Sequence, residues 1–169
     1  MARDLPTYLR AIKTLARAVE WVEAENGKLW LAVPLDIDGA TIEGLQLRGR
    51  AIKDLPNEEV TLLLECSDPI RRDRAMDRID WRPLHTHNNR GKGPQELRHM
   101  MIKAGISHRH SFDLNWIAAE NRLRQENLPI AAPIALEIKD FGALLEFAGE
   151  CFNINNLVLP APPWERALL

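Results

Sequence analysis

Residues 28–52 read KLWLAVPLDIDGATIEGLQLRGRAI. KLWLAVPL is a strand, Asp38-Gly39 is the dipeptide of a tight hairpin turn, and ATIEGLQLRGRAI returns beside it. The apolar phase changes within the return strand. Ile42 is on the even positions, and Leu45 and Leu47 are on the odd ones. Gly44 stands at the switch, where a β-bulge would let the strand change face. This hairpin makes the chain a meander protein, and its neighbours are read outward from it.

Upstream, residues 5–26 carry an apolar stripe at helical spacing through Leu5, Leu9, Ile12, Ala16 and Val19. Arg10, Lys13, Arg17 and Glu20 lie opposite. Asp4 can cap the start and Gly27 the end, so one long helix is expected here. Downstream, EVTLLLEC (residues 59–66) is a third strand with Val60, Leu62, Leu64 and Cys66 on one face. The connection SDPIRRDRA leads to a fourth strand, MDRIDWRP (residues 76–83). A helix over residues 141–152 is capped by Asp140, with Phe141, Leu144, Leu145, Ala148 and Phe152 on one stripe. The tail LPAPPWERALL is a proline-rich strap with Trp164 as its anchor. The expected fold is therefore α+β: a long N-terminal helix, an antiparallel sheet of about five strands and a C-terminal helix on one face. At 169 residues, with no linker or repeat that divides it, the chain is expected to form a single domain over residues 1–169.

All five histidines fall between residues 85 and 110, four of them as His85-Thr86-His87 and His108-Arg109-His110. If the fourth strand persists past Pro83, His85 and His87 continue the parity of Ile79 and Trp81. ISHRHSFDLNW alternates over its whole length and reads as another strand, with His108 and His110 on the side of Ile106, Phe112 and Leu114. Between the pairs, residues 88–105 read as a loop and a short helix opened by Pro94 and stopped by Gly105, with His99 on its flank.

H-x-H on a strand presents two imidazoles side by side, and two neighbouring strands can present four. Three arrangements of chemistry fit. In the first, His85, His87, His108 and His110 hold zinc or another divalent transition metal, whose bound water becomes hydroxide near neutral pH. In the second, the same histidines act as catalytic acid and base on a phosphodiester without metal. In the third they are core residues, satisfied by backbone and by Asp113, Asn115 and nearby hydroxyls.

The net charge is −2, yet residues 71–109 carry ten Lys/Arg against four acids. A basic tract within an acidic chain favours a local anionic ligand. Arg82, Arg90, Lys92 and Arg109 are expected to rim the histidine site, with Asn88 and Asn89 holding a phosphate or base edge. The expected function is a hydrolase or nuclease-like activity on a phosphodiester or other anionic substrate. Nucleic acid or a phosphate-bearing ligand is the corresponding partner. The alternative is a non-catalytic metal-binding or protein-interaction module, of the kind found as toxin–antitoxin or phage-defence accessory proteins. Cys66 and Cys151 fit neither a metal spacing nor a disulfide framework. No apolar signal core and no run of about 20 apolar residues is present, which points to a cytoplasmic protein and no membrane partner.

Overall fold

The computed structural model describes residues 4–67, 75–125 and 127–165. Arg71, Arg72, Asp73 and Arg74 of the basic tract, and with them most of the connection to the fourth strand, lie outside the described residues.

The long N-terminal helix is not formed. Helix α1 spans only Leu5–Arg10, with Asp4 as its N-cap. The chain then becomes extended in β1 (Lys13–Leu15) and β2 (Val22–Glu23). Both lie along one edge of β3 (Lys28–Ile37), in the registers Leu15↔Leu35 and Val22↔Trp30. The physical reason is competition. A bare edge of β3 offers unpaired backbone groups, whereas a lone surface helix gains most of its stability from packing. Ile12, assigned to the stripe, is 64% exposed, while Lys13, assigned to the polar side, is fully buried. The Lys13 ammonium donates to the carbonyls of Tyr8, Leu9 and Ala11 at 2.8, 2.9 and 2.6 Å, closing the end of α1.

β3 pairs with β4 (Ala40–Ile52), β4 with β5 (Val60–Cys66), and β5 with β6 (Ala75–Trp81), all antiparallel. Asp38 and Gly39 both have positive φ, as the tight hairpin requires. Gly44 has φ +77, and residues 42–45 of β4 bulge opposite Leu35, so the phase switch is built where the glycine stands.

Beyond β6 come β7 (His87–Asn88) and β8 (Met101–Ile102), which pair only with each other, then β9 (His108–His110). The short helix α2 (Phe112–Asn115) and the hairpin of β10 (Trp116–Ile117) with β11 (Arg122–Leu123) follow. Strand β12 (Ala132–Pro133) then precedes the one long helix, α3 (Phe141–Phe152). Among the described residues the result is one eight-stranded antiparallel sheet rather than about five strands, in the order β1-β3-β4-β5-β6-β9-β12 with β2 beside β3. The α+β expectation is corrected to a mostly-sheet fold with a C-terminal helix.

Alternate side chains of β3–β6 build the core on one face: Leu29, Leu31, Leu47, Leu62, Ile79 and Trp81 are at most 3% exposed. Leu144, Ala148 and Phe152 of α3 pack on them, and Asp140 caps that helix as its sequence implies. Trp21 and Trp164 close the core beside Phe141. No helix among the described residues is long and apolar enough to cross a membrane.

Candidate metal centre

β6 ends at Trp81 because Arg82 takes φ +45, a left-handed conformation that turns the chain out of the sheet. The expected continuation of that strand through His85 and His87 therefore does not exist. The chain doubles back instead, and β7–β8 lies over the sheet face opposite the core, bringing His87 down onto β9. The second pair also sits otherwise than expected. The alternation stops at Ser111, which caps α2 by accepting from the Leu114 amide. Within β9, His108 pairs with Asp80 and His110 with Arg78. Cross-strand partners share a side, so the histidines face the polar row of β6, not the apolar one.

Three histidines meet there. Ring centroids are 5.4 Å apart for His87 and His108, 4.6 Å for His87 and His110, and 5.1 Å for His108 and His110. The metal-capable nitrogens of the three all lie within 4.8 Å of one another. His85 is exposed and lines only the rim of an adjoining cleft, and His99 is exposed.

The imidazole orientations are set by acceptors. His110 Nδ1 donates to Leu128 O at 2.6 Å, and His108 Nδ1 to Ile106 O at 3.0 Å. His87 Nε2 donates to Asn89 Oδ1 at 2.9 Å and lies 3.1 Å from Pro129 O. In its neutral form each ring thereby keeps one nitrogen lone pair: Nδ1 of His87 and Nε2 of His108 and His110. Ring N–H groups spent on fixed carbonyls are how metal-ligating histidines are held.

The segment supplying Leu128 O and Pro129 O is pinned by two fully buried asparagines. Asn89 donates to Leu97 O and Ala131 O and accepts from Ala131 N. Asn115 donates to Ser111 O and Ile130 O and accepts from Ile130 N. Leu128 is held at φ +59, a costly conformation for a leucine, and its carbonyl is the one on His110.

Asp80 completes the cluster. Its Oδ2 lies 3.1 Å from His110 Nε2 and 3.4 Å from His108 Nε2, and its Oδ1 accepts from Thr61 Oγ1 at 2.8 Å. Arg78 Nε donates to Asp80 Oδ2 at 3.0 Å, and Arg78 Nη2 lies 2.6 Å from His110 Nε2. Burial alone would raise the Asp80 carboxyl. The Arg78 guanidinium, donating to Oδ2, opposes this, and the group is held well below the usual carboxylate range. Burial pushes the His110 imidazole from 6.5 down to about 4, with Arg78 adding to the effect against Asp80. Burial also lowers His87. His110 is thus neutral at neutral pH, with its lone pair beside an ionised carboxylate. That juxtaposition calls for a cation, and Arg78 supplies one.

Two clefts of about 330 and 220 Å³ share Arg78, Thr86 and His87 in their walls. Asn88, Arg90 and Lys92 line the larger one. Asn89 also lines it, with its carboxamide engaged by His87, Leu97 O and the Ala131 backbone. Arg82 and Arg109 are elsewhere. The Arg82 guanidinium lies 4.8 Å over the Trp81 ring and donates to the carbonyls of Asn57, Ile138 and Lys139. Arg109 points to the core face and chelates Asp77 at 2.8 and 2.7 Å. Sequence reasoning passed over Asp80 and Arg78 as site residues. Their trace was a charged pair at i, i+2 on a strand, which acquires meaning only once β9 is placed beside it.

No family model, curated protein or solved structure matches this chain.

Proposed function

We propose that His87, His108 and His110 hold a divalent transition metal, zinc foremost, and that the centre hydrolyses a phosphate-bearing substrate drawn into the adjoining clefts. The observation that carries this is the convergence of three oriented imidazoles beside the Asp80 carboxylate. Zinc takes nitrogen ligands at about 2.0–2.1 Å and catalytic sites hold it with three protein ligands, leaving a fourth position for water. Asp80 is placed to bind the ion directly or to accept a proton from that water through a hydrogen bond. In hydrolysis the water oxygen bonds phosphorus and one phosphorus–oxygen ester bond breaks. One water proton passes to the leaving oxygen, and the other stays on the phosphate. Arg78, Arg90 and Lys92 would neutralise the charge that develops.

The metal-free acid–base alternative is less well supported. It needs an imidazolium near neutral pH, and His110, at about 4, does not keep a proton there. A metal-binding module without turnover uses the same centre and differs only in lacking activity.

Arg78 distinguishes these readings. In the metal-free protein its guanidinium occupies the His110 lone pair that an ion must take. Arg78→Gln is expected to bind zinc about tenfold more tightly in calorimetric titration, since one competing cation is removed at close range. The same variant should hydrolyse bis(p-nitrophenyl) phosphate more slowly than the zinc-loaded parent. Zinc uptake with no hydrolysis in either protein would leave the non-catalytic module. No zinc uptake by either would remove the metal centre itself.

A further inference from the structure

We infer that the substrate is a single-stranded nucleic acid, laid across the open face of the sheet from Trp30 to the histidine centre; this rests on the hydrolase reading above. The face is defined by register. Trp30, Arg50, Thr61, Asp80 and His108 are consecutive cross-strand partners from β3 to β9, so their side chains form one row on the side away from the core. With strands about 4.8 Å apart, Trp30 stands roughly 14 Å from Asp80 along that row. At the β6–β9 end the row is roofed by β7–β8 and the segment at Leu128. At the β3–β4 end Arg50 is exposed and Trp30 half-buried, and both line a small cleft with Thr61.

The chemistry along the row changes in order. The Arg50 guanidinium sits 5.0 Å from the centre of the Trp30 ring, is exposed, and has no hydrogen bond or ion pair among the described residues. Arg48 lies 5.8 Å from the same ring on the next row, bridged to Glu65 at 3.4 Å. Arg50, Thr61 and Asp80 then form one wall of a cleft that ends on His87 and His108. The acid at its rim, Glu59, is tied to the Leu84 amide. An unneutralised guanidinium lying over an indole ring, leading to a phosphate-cleaving centre, is complementary to a base stacked on the Arg50–Trp30 pair with its phosphates running toward the metal. A duplex keeps its bases stacked on each other and cannot offer one to Trp30.

The test is fluorescence anisotropy of a labelled oligothymidylate of about twelve nucleotides, within the span single-strand grooves accommodate, in EDTA so that nothing is cleaved. Binding should weaken steeply with salt, and Arg50→Gln should reduce the salt slope by about one. Trp30→Ala should weaken binding about tenfold or more, and Trp30→Phe should restore most of it. Arg50 is exposed, so its variant reports even if Trp30→Ala fails to fold. Arg122→Gln, in the β10–β11 hairpin and outside this row, should change nothing. No binding at low salt, as for a face that receives a protein, would overturn the inference. So would equal affinity for a duplex, or indifference to both Trp30→Ala and Arg50→Gln. Because metal is absent from the titration, its outcome is independent of zinc uptake. Zinc bound without oligonucleotide binding removes the substrate class and leaves the centre. Oligonucleotide bound by a protein that takes no zinc keeps this face and removes the centre.

Discussion

His110→Ala is expected to abolish stoichiometric zinc binding, with affinity falling by more than about 100-fold, since loss even of a ligand's hydrogen-bond partner costs about 10–100-fold. His108→Ala and His87→Ala should behave alike, whereas His85→Ala should leave zinc uptake unchanged because that side chain is exposed outside the cluster. Equal losses at all four positions would mean that the ion sits on a different arrangement. Calorimetry with metal-content analysis reads all four variants. The metal-free protein carries a linked pH signature. His110 has a folded pKa of about 4 against an ordinary 6.5, so between those values the unfolded chain binds a proton that the folded chain refuses. Stability is then full above about pH 6.5 and falls as the pH drops toward 4, by roughly 3 kcal/mol in all. Urea denaturation of parent and His110→Gln across that window should show the slope in the parent and its reduction in the variant.

Arg109→Ala is expected to cost about 3–5 kcal/mol of folding stability, the usual consequence of stranding one partner of a buried ion pair. Asp77 is fully buried on the core face, where burial raises its carboxyl despite the Arg109 guanidinium. It also accepts from the Phe112 amide at 3.0 Å, and Arg109 reaches Cys151 O on α3 at 3.2 Å. The pair thus fastens β9, which carries two of the three histidines, to α2 and to the long helix. Arg109→Met with Asp77→Asn should recover much of the loss, because no charge is then left buried. A loss below about 1 kcal/mol in Arg109→Ala would place the pair with ordinary surface bridges. It would also remove the view that Arg109 serves the fold rather than an anionic ligand.

The local sequence determined the β3–β4 hairpin, the Gly44 bulge and the capped helix α3. In each case the deciding physics lies within a few residues: two consecutive positive-φ positions at Asp38-Gly39, one glycine at a phase switch, and Asp140 ahead of an apolar stripe. The concentration of histidines between residues 85 and 110 was likewise legible, and three of the four paired histidines do converge. What only the tertiary structure decided has a common cause, the pairing of distant strands. The 13–15 and 22–23 segments became sheet because β3 had an edge to fill. His85 and His87 both left the line of β6 because Arg82 turns the chain out of it, a conformation that no side-chain pattern announces, and only His87 lies in β7. The histidines of β9 face Arg78 and Asp80, and Arg109 faces the core, because a β-register is set between strands. Within β9 alone, the alternation states only that 108 and 110 point one way and 109 the other. Which of those ways is the core depends on the neighbour, thirty residues away in the chain.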